Sequence, residues 1–322
     1  MIMPGAARPD DLRGAKEKNK ENKMKFHIVS DSSCDLGWET AQQLGITMVS
    51  FYAQLGDDVY YREEQDISTH DFYQRMADNP GVYPKTSMPT MDDYMQAILP
   101  HVEQGMPVLC ICLNSAFSGS CQAARNVREE ILEDHPEARV HVMDSRCATV
   151  LQAVLVEEAV ALRDAGCTLE EAVQALEAVR DSGRIFFTAN DLDYLRHGGR
   201  IGAAAAATGS LLKVKPLIGY ENAGLVTDGI AQGRKKSLAR VQELFFRYVE
   251  KNNLDLNDYR VVTGFGLDRA EYDKFTDEIW SGLAKRGMDV PKCRPYQIGI
   301  TIGVHTGPTP IGVGLLKKAK RP

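Results

Sequence analysis

The sequence lacks the features that would place it at once in several protein classes. Its seven cysteines are odd in number and form no Cys-x-x-Cys pair, so neither a disulfide framework nor a metal site is expected. No stretch approaches the ~20 apolar residues that a membrane span requires. The 38 basic residues do not exceed the 44 acidic ones, and a net charge of −6 argues against binding to nucleic acid.

Two groups of catalytic motifs are missing as well. No Gly-x-Ser-x-Gly elbow occurs, which weakens the interpretation as a serine hydrolase. Neither a Walker A motif nor a complete Gly-x-Gly-x-x-Gly follows a predicted strand, so no nucleotide cofactor is expected. Cysteines such as Cys110 and Cys112 lie inside the apolar run 108–113, where they suit the core of a reduced, cytoplasmic protein.

What the sequence does contain is an ordinary globular composition. With 43% hydrophobic and 25% charged residues over 322 positions, the chain suits two domains with sizeable cores. Residues 1–23 are rich in charge and poor in apolar side chains, and we expect a disordered tail there. The rest of the chain changes character near Gly166, which predicts one domain at 24–165 and a second at 166–322.

Short apolar strands alternate with helices in the first domain, a pattern that predicts a parallel, Rossmann-like α/β sheet. Its predicted strands are 26–29, 46–55, 108–113 and 140–143, and its helices include 39–44, 120–133 and 148–165. The second domain is predicted to be α+β with a mixed or antiparallel sheet. Its predicted elements are a hairpin at 217–232, strands at 185–188, 260–264, 296–304 and 311–316, and helices at 201–212, 237–251 and 269–286.

Three polar segments follow predicted strands of the first domain, namely 30–33, 114–120 and 144–145. In open parallel sheets, ligands bind outside the carboxyl ends of the strands, and helix N-termini there favour anions. The same residue types also serve as plain helix caps, which we favour for the first and third segments. Ser118 is interpreted as a ligand contact, because the adjacent Gly119 lets the backbone approach a ligand and a cap does not need it.

Other polar loops offer further candidates. Thr86 lies between two prolines that hold its loop extended, which suits either a fixed hydroxyl donor or a plain turn. His305 follows a predicted apolar strand in a loop rich in Gly and Pro, and it could meet a carboxylate or pair with Ser118 as base and nucleophile. Arg200, beside two glycines, could bind phosphate or carboxylate or lie in a solvated turn. The other six histidines have no evident companions and are expected to be structural or solvated.

These segments together resemble the DegV family of fatty-acid-binding proteins, which includes the binding subunit of bacterial fatty acid kinase. The matching segments are Val29–Leu36, Lys85–Thr90, Ser118–Ser120, Asp144–Ser145, Tyr194–Ile201, Gly209–Pro216, Gly233–Lys236 and Gly303–Pro308. Each segment alone is weak, but all eight occur in family order and extend over residues 26 to about 316. One departure is Thr309-Pro310, where the family commonly has Gly-Ala.

The resemblance implies a two-domain protein that holds one long-chain fatty acid between its domains. It implies head-group contacts from the hydroxyls of Thr86 and Ser118, the Gly119 amide and His305, with Arg200 near the head group or on a kinase-docking surface. The expected function is to present the fatty acid carboxylate to a partner ATP-dependent fatty acid kinase and then to carry the acyl-phosphate. Such a carrier is not itself an enzyme, needs no cofactor and is cytoplasmic.

The alternative that the residues leave open is a serine-dependent esterase or acyltransferase. It would use Ser118 as the nucleophile and His305 as the base.

Overall fold

The structure, a computed structural model, describes residues 26–56, 58–207 and 214–321. The predicted tail at 1–23, the end of the predicted helix at 208–212 and most of the segment 209–216 lie outside the described residues.

Thirteen strands are found in the described part of the chain. They are β1 (His27–Asp31), β2 (Ile46–Val49), β3 (Tyr52–Gln54), β4 (Tyr60–Arg62), β5 (Lys85–Ser87), β6 (Val108–Cys112), β7 (Val140–Asp144), β8 (Arg184–Thr188), β9 (Val214–Glu221), β10 (Gly224–Gln232), β11 (Tyr259–Phe265), β12 (Tyr296–Gln297) and β13 (Ile311–Lys317). The same residues form ten α-helices. They are α1 (Trp38–Gln43), α2 (Thr69–Asp78), α3 (Met91–Val102), α4 (Ser120–Asp134), α5 (Val150–Asp164), α6 (Leu169–Glu177), α7 (Asp193–His197), α8 (Arg234–Lys251), α9 (Arg269–Lys285) and α10 (Ile300–Thr306).

The first sheet is parallel, with strand order β2-β1-β6-β7, as the alternation of strands and helices predicts. Strand β6 is buried along its whole length, because helices cover both faces of the sheet. On one face its side chains Val108 and Cys110 pack in a cluster with Ile98 of α3 and Val127 of α4. The sequence of this strand is apolar at every position because both faces of the strand are buried.

The second sheet is mixed, with strand order β10-β9-β8-β13-β11-β12. All its neighbouring strands are antiparallel except β11 and β12, which are parallel. The predicted hairpin is present as β9 and β10, and Asn222 and Ala223 at its turn both have positive φ, of 49° and 60°. Two positive φ angles in a two-residue loop match the right-handed twist of the strands that it joins.

Helix α5 lies between the two sheets. Eleven of its 15 residues are buried, which explains why its sequence is apolar on nearly every face. Leu151 and Val154 belong to one hydrophobic cluster with Ile111 of the first sheet and Val262 and Leu316 of the second. The division of the chain at residues 165–166 remains a proposal, and the cluster continues beyond it into α6.

A small antiparallel sheet, with strand order β4-β3-β5, was not predicted as such. The segment that contains Thr86 is extended, as its flanking prolines predicted, but it is a strand rather than an isolated loop. Thr86 lies opposite Ala53 of β3. Strands of three residues are too short for an alternating pattern to identify them.

The strand predicted at 296–304 is wrong beyond its first residues. Strand β12 ends at Gln297, and Ile300–Thr306 forms the short helix α10. The β-branched run favours a strand by propensity, but tertiary contacts at Gly299 and Thr301 decide otherwise. His305 consequently lies in the last turn of a helix and not in a loop after a strand.

Two smaller predictions also need correction. Residues 202–207 form a 3₁₀-helix rather than the start of an α-helix. The histidines that were expected to stand alone include a stacked pair, His27 and His101, whose ring centroids are 3.6 Å apart. His197 stacks on Tyr83 at the same distance.

Candidate functional site

A cleft of about 1120 Å³, a volume that includes space open to solvent, is lined by side chains from residues 51–150 and 185–312. We call the parts of the chain that contain these two ranges the first half and the second half. Most of the wall of the cleft is apolar and comes from both sheets and from α5. The lining includes Phe51, Leu113, Val150, Ile185, Phe187 and Ile298. All five residues predicted for the site also line this cleft: Thr86, Ser118, Gly119, Arg200 and His305. The structure thus brings together residues that are separated by up to 219 positions in the sequence.

We call the part of the cleft lined by these five residues the polar end. A hydrogen bond between the two halves lies within it and forms its first arm, the His305 arm. Thr86 Oγ1 on β5 lies 3.1 Å from His305 Nε2 in the last turn of α10. Burial, and secondarily the charge of Arg200, lowers the pKa of His305 to about 4, so the imidazole is neutral at physiological pH. The imidazole packs so closely against Gly198 that a Cβ there would overlap Nδ1.

The Ser118–Gly119 segment forms the second arm of the polar end. Ser118 Oγ accepts a hydrogen bond of 3.2 Å from the amide of Ser120, which uses a lone pair of the hydroxyl and not its proton. Gly119 directly precedes the 15-residue helix α4, so the positive end of the helix dipole faces this part of the cleft. A Cβ on Gly119 would lie 3.0 Å from Met88 Sδ, so the glycine lets the loop pack against that side chain.

Arg200 contributes positive charge at the exposed side of the cleft. Its Nε donates to the carbonyl of Phe117 over 3.1 Å, and its Nη1 donates to the carbonyl of Gly198 over 2.7 Å. The guanidinium therefore joins the loop before α4 to the glycine turn that packs on His305. Arg200 makes no hydrogen bond to Thr86 or His305 among the described residues.

The buried carboxylate of Asp31 binds both ends of the loop that carries the Ser118 arm. It accepts hydrogen bonds from the Leu113 amide over 2.8 Å and from Ser120 Oγ over 3.0 Å, and these residues flank the loop that carries Ser118. Tyr94, Ser33 and Gln152 also donate to this carboxylate, over 3.3, 2.5 and 2.9 Å. Burial raises the pKa of Asp31. The polar segment 30–33 is thus a support for the loop, which agrees with the structural role favoured for it.

Asp144, the last residue of β7, has a similar role. Asp144 accepts hydrogen bonds from the Ser115 amide over 3.2 Å and from the Arg146 amide over 2.9 Å. It therefore fixes the beginning of the same loop.

Several cleft residues were missed by the sequence analysis, among them Thr149, Tyr220 and Thr301. Tyr220 of β9 donates to the Arg146 carbonyl over 2.6 Å and accepts from Asn114 over 3.0 Å, which connects the two halves. The hydroxyls of Thr149 and Thr301 are bound to buried carboxylates outside the cleft lining. No local pattern marks these residues, because their partners are distant in the sequence.

The arrangement lacks the hydrogen bonds of a nucleophile–base–acid triad. No hydrogen bond joins Ser118 to His305 in the described ranges, since Nε2 of the imidazole is near Thr86. Nδ1 is buried and has no hydrogen-bond partner there, whereas a catalytic histidine is usually oriented by an acid at that atom. The hydrogen-bonded pair of Ser118 and His305 that an esterase would use is therefore not formed among the described residues.

The described residues also bear on other functions. They contain no group of three or more His, Cys, Asp or Glu side chains that could hold a metal ion. None of the helices described is long and apolar enough to cross a membrane.

Known proteins resemble this chain over nearly its whole length. A family model described as "Uncharacterised protein, DegV family" matches residues 25–318. A DegV domain-containing protein of Clostridium perfringens is 30% identical over 301 residues, which are 92% of this chain and 99% of that protein.

Solved structures resemble it in fold as well. A stearic acid-binding protein of Eubacterium ventriosum is 38% identical with a TM-score of 0.85, and the match covers 91% of this chain and 98% of the other. A DegV family protein of Thermus thermophilus, whose structure is described by its fatty acid binding, is 26% identical with a TM-score of 0.80. That match covers 91% of this chain and 100% of the other.

Proposed function

Because the chain belongs to the DegV family, we propose that it binds one long-chain fatty acid in the cleft between its two halves, 24–165 and 166–322. The observation that carries this proposal is the hydrogen bond between Thr86 and His305 in a cleft whose wall is mostly apolar. Hydroxyl and imidazole groups at the polar end suit a carboxylate, and the apolar wall suits an acyl chain. The proteins of Eubacterium ventriosum and Thermus thermophilus support the assignment, since their structures are described as fatty acid-binding.

The acyl chain would supply most of the affinity. Burial of each CH₂ group is worth about 0.8 kcal/mol, so a long chain in a dry cleft binds strongly even after the entropic cost of association. The side chains that line the wall include Phe51, Ile185 and Phe187, which offer apolar surface without a charge.

The carboxylate would be bound by the polar end. A buried carboxylate is costly unless hydrogen-bond donors meet it. The donors proposed here are the hydroxyls of Thr86 and Ser118, the amide of Gly119 and one nitrogen of His305. The neutral imidazole can donate one N–H without bringing a second charge into the cleft.

The position of this end suggests what happens to the bound lipid. Gly119 and Arg200 are exposed, so the carboxylate would lie near the surface while the acyl chain extends inward. We therefore place the protein as a cytoplasmic carrier that presents the carboxylate to a partner ATP-dependent fatty acid kinase and then holds the acyl-phosphate. In this scheme the carrier forms no covalent bond and needs no cofactor, because the partner supplies the nucleotide chemistry.

Native mass spectrometry of the protein purified from cells tests the binding step. We expect one fatty acid per chain, identified after organic extraction, and reloading with palmitate or oleate after delipidation. A protein that is isolated empty and takes up neither lipid would contradict the proposal.

A second experiment separates the carrier from the esterase. In the carrier, Ser118→Ala or His305→Ala should weaken phosphorylation of the bound lipid by the cognate kinase and leave the fold intact. Burst release from an activated ester, together with labelling of Ser118 by a fluorophosphonate, would instead establish the esterase.

A further inference from the structure

A second buried carboxylate lies outside the cleft lining and takes no part in the binding scheme given above. Glu63 follows β4 and is only 2% exposed. Its Oε1 accepts a hydrogen bond of 3.1 Å from the Thr301 amide, and its Oε2 accepts bonds of 2.6 Å from the hydroxyls of Thr301 and Ser32. No cation pairs with Glu63 among the described residues, so these three donors are what offsets its burial.

The helix that Glu63 contacts has one face without side chains. A Cβ on Gly299 would lie 2.5 Å from Glu63 Oε1 and 2.8 Å from Asp35 Oδ1, and a Cβ on Gly303 would overlap the Tyr73 hydroxyl. Gly299 and Gly303 are four residues apart, so they lie on the same face of α10. The helix backbone is therefore pressed directly against the buried polar groups of the first half.

The same short helix carries His305 in its last turn. Thr301 and His305 are four residues apart, about 6 Å along the axis at 1.5 Å per residue. This helix has seven residues, and its buried Ile300 and Val304 also pack against Phe72 and Tyr73 of the first half. A shift at its first turn is therefore transmitted to the imidazole, which must lie within hydrogen-bond distance of Thr86 to complete the polar end.

We propose that Glu63 is a positioning residue for the polar end of the cleft. It binds the first turn of α10 to the first half of the chain and thereby places His305 against Thr86. The inference rests on the proposed function, since the placement matters for a ligand whose head group meets His305.

The composition of the surroundings supports a specific role for a carboxylate here. The titratable groups that face Glu63 are Asp35, Glu64 and Tyr73, and none of them carries positive charge. Burial raises the pKa of Glu63 to about 7, so the ionised form is costly at neutral pH. A site selected for packing alone would be better filled by an apolar side chain, whereas a backbone amide and two hydroxyls need an acceptor.

The test compares two ligands with the same acyl chain. In Glu63→Ala, the affinity for palmitate should fall about tenfold, the usual scale for loss of a supporting residue. The affinity for hexadecanol should change less than about twofold, because the alcohol lacks the carboxylate that His305 meets. The matched control is Thr168→Ala, which removes the cap of α6, a helix that does not line the cleft, and should leave the palmitate-to-hexadecanol ratio unchanged.

Glu63→Gln keeps the test decisive if the alanine variant does not fold. Its amide oxygen can accept from the Thr301 amide, and its NH₂ can donate to the hydroxyls of Ser32 and Thr301. It should restore at least half of the lost preference for palmitate. An equal loss of both ligands in Glu63→Ala and Glu63→Gln would overturn the positioning role.

Histidine NMR of the ligand-free protein separates this inference from the proposed function. The signals of His305, assigned by their loss in His305→Gln, should shift in Glu63→Ala and stay in place in Thr168→Ala. Unchanged His305 signals in Glu63→Ala would contradict the inference even if palmitate binds. A wild-type protein that binds neither palmitate nor hexadecanol would instead refute the proposed function, while the NMR comparison would still decide the placement of His305.

Discussion

Two buried carboxylates, Asp31 and Glu63, hold the two arms of the polar end in different ways. Asp31 binds Leu113 and Ser120, so the carboxylate that supports the Ser118 arm makes its bonds within the first half of the chain. Glu63 binds Thr301, so the His305 arm is fixed by a contact between the halves. The bonds of Asp31 can therefore form as the first half folds, whereas the bonds of Glu63 to Thr301 form only when the two halves meet.

Because of this difference, we expect Asp31 to affect mainly the stability of the fold and Glu63 to affect mainly ligand binding. A carboxylate that serves one half contributes mainly to the folding of that half. A carboxylate that joins the halves sets the geometry of a ligand site between them. Changes at Asp31 should therefore be seen in unfolding experiments, and changes at Glu63 in the choice between ligands.

The largest effect is expected for Asp31→Ala. The change leaves the Leu113 amide and several buried hydroxyls without their acceptor, and an unsatisfied buried group costs about 1–3 kcal/mol. We expect a loss of about 3–5 kcal/mol in the free energy of unfolding, measured by urea denaturation. The control is Asp277→Ala, whose carboxylate is 71% exposed and whose loss should cost less than about 1 kcal/mol. Equal losses of unfolding free energy in the two variants would show that Asp31 stabilises the fold no more than an exposed carboxylate does.

A smaller effect is expected in the pH dependence of stability. Burial lowers the pKa of His305 from 6.5 to about 4, so the unfolded chain binds more protons there and stability rises with pH between those values. Burial raises the pKa of Glu63 from 4.5 to about 7, so the folded chain binds more protons there and stability falls as pH rises through that range. The two groups therefore oppose each other across pH 4.5–6.5.

Substitutions should expose the two opposing contributions. His305→Ala should make the slope of stability against pH more negative, and Glu63→Gln should make it more positive, each by up to about 1.4 kcal/mol per pH unit. Urea unfolding of the ligand-free protein at pH 4.5, 5.5 and 6.5 measures the slopes, and Thr168→Ala should keep the wild-type slope. Slopes that move in the same direction for both variants would show that one of the two burial effects has the wrong sign.

The contrast between the carboxylates also shows what could be predicted from the sequence. Strand β6 and the Ser118–Gly119 turn were predicted, because their signals are local: an apolar run followed by small polar residues before a helix. Asp31 lies in a polar segment at a strand end, and the structural role favoured for that segment matches its hydrogen bonds. The parallel first sheet and the mixed second sheet followed from the same kind of local pattern.

The part that could not be predicted depends on contacts between distant segments. Glu63 stands in the charged run Arg62–Asp66, which has the composition of a solvated surface. The run Ile298–Val304 has strand propensity, yet most of it forms a helix because Gly299 and Thr301 meet groups of the first half. Only the resemblance to a family suggested that Thr86 and His305 would share a site.

The smallest effect is expected for Arg200, which is bound by neither buried carboxylate and contacts the two arms only through backbone carbonyls. Its guanidinium is exposed, and two of its nitrogens already bind carbonyl groups. Exposed charges are screened by salt, so Arg200→Ala should weaken palmitate binding only about threefold at low salt and less at high salt.

The same substitution should raise the pKa of His305, since the positive charge of Arg200 adds to burial in lowering it. An NMR titration of the imidazole measures this shift, and Arg200→Lys should largely retain the wild-type value because it keeps the charge. A loss of palmitate affinity near a hundredfold, insensitive to salt, would place Arg200 in direct contact with the carboxylate. The polar end would then depend on an exposed cation as much as on the two buried carboxylates, and the comparison between anchored arms would no longer account for ligand choice.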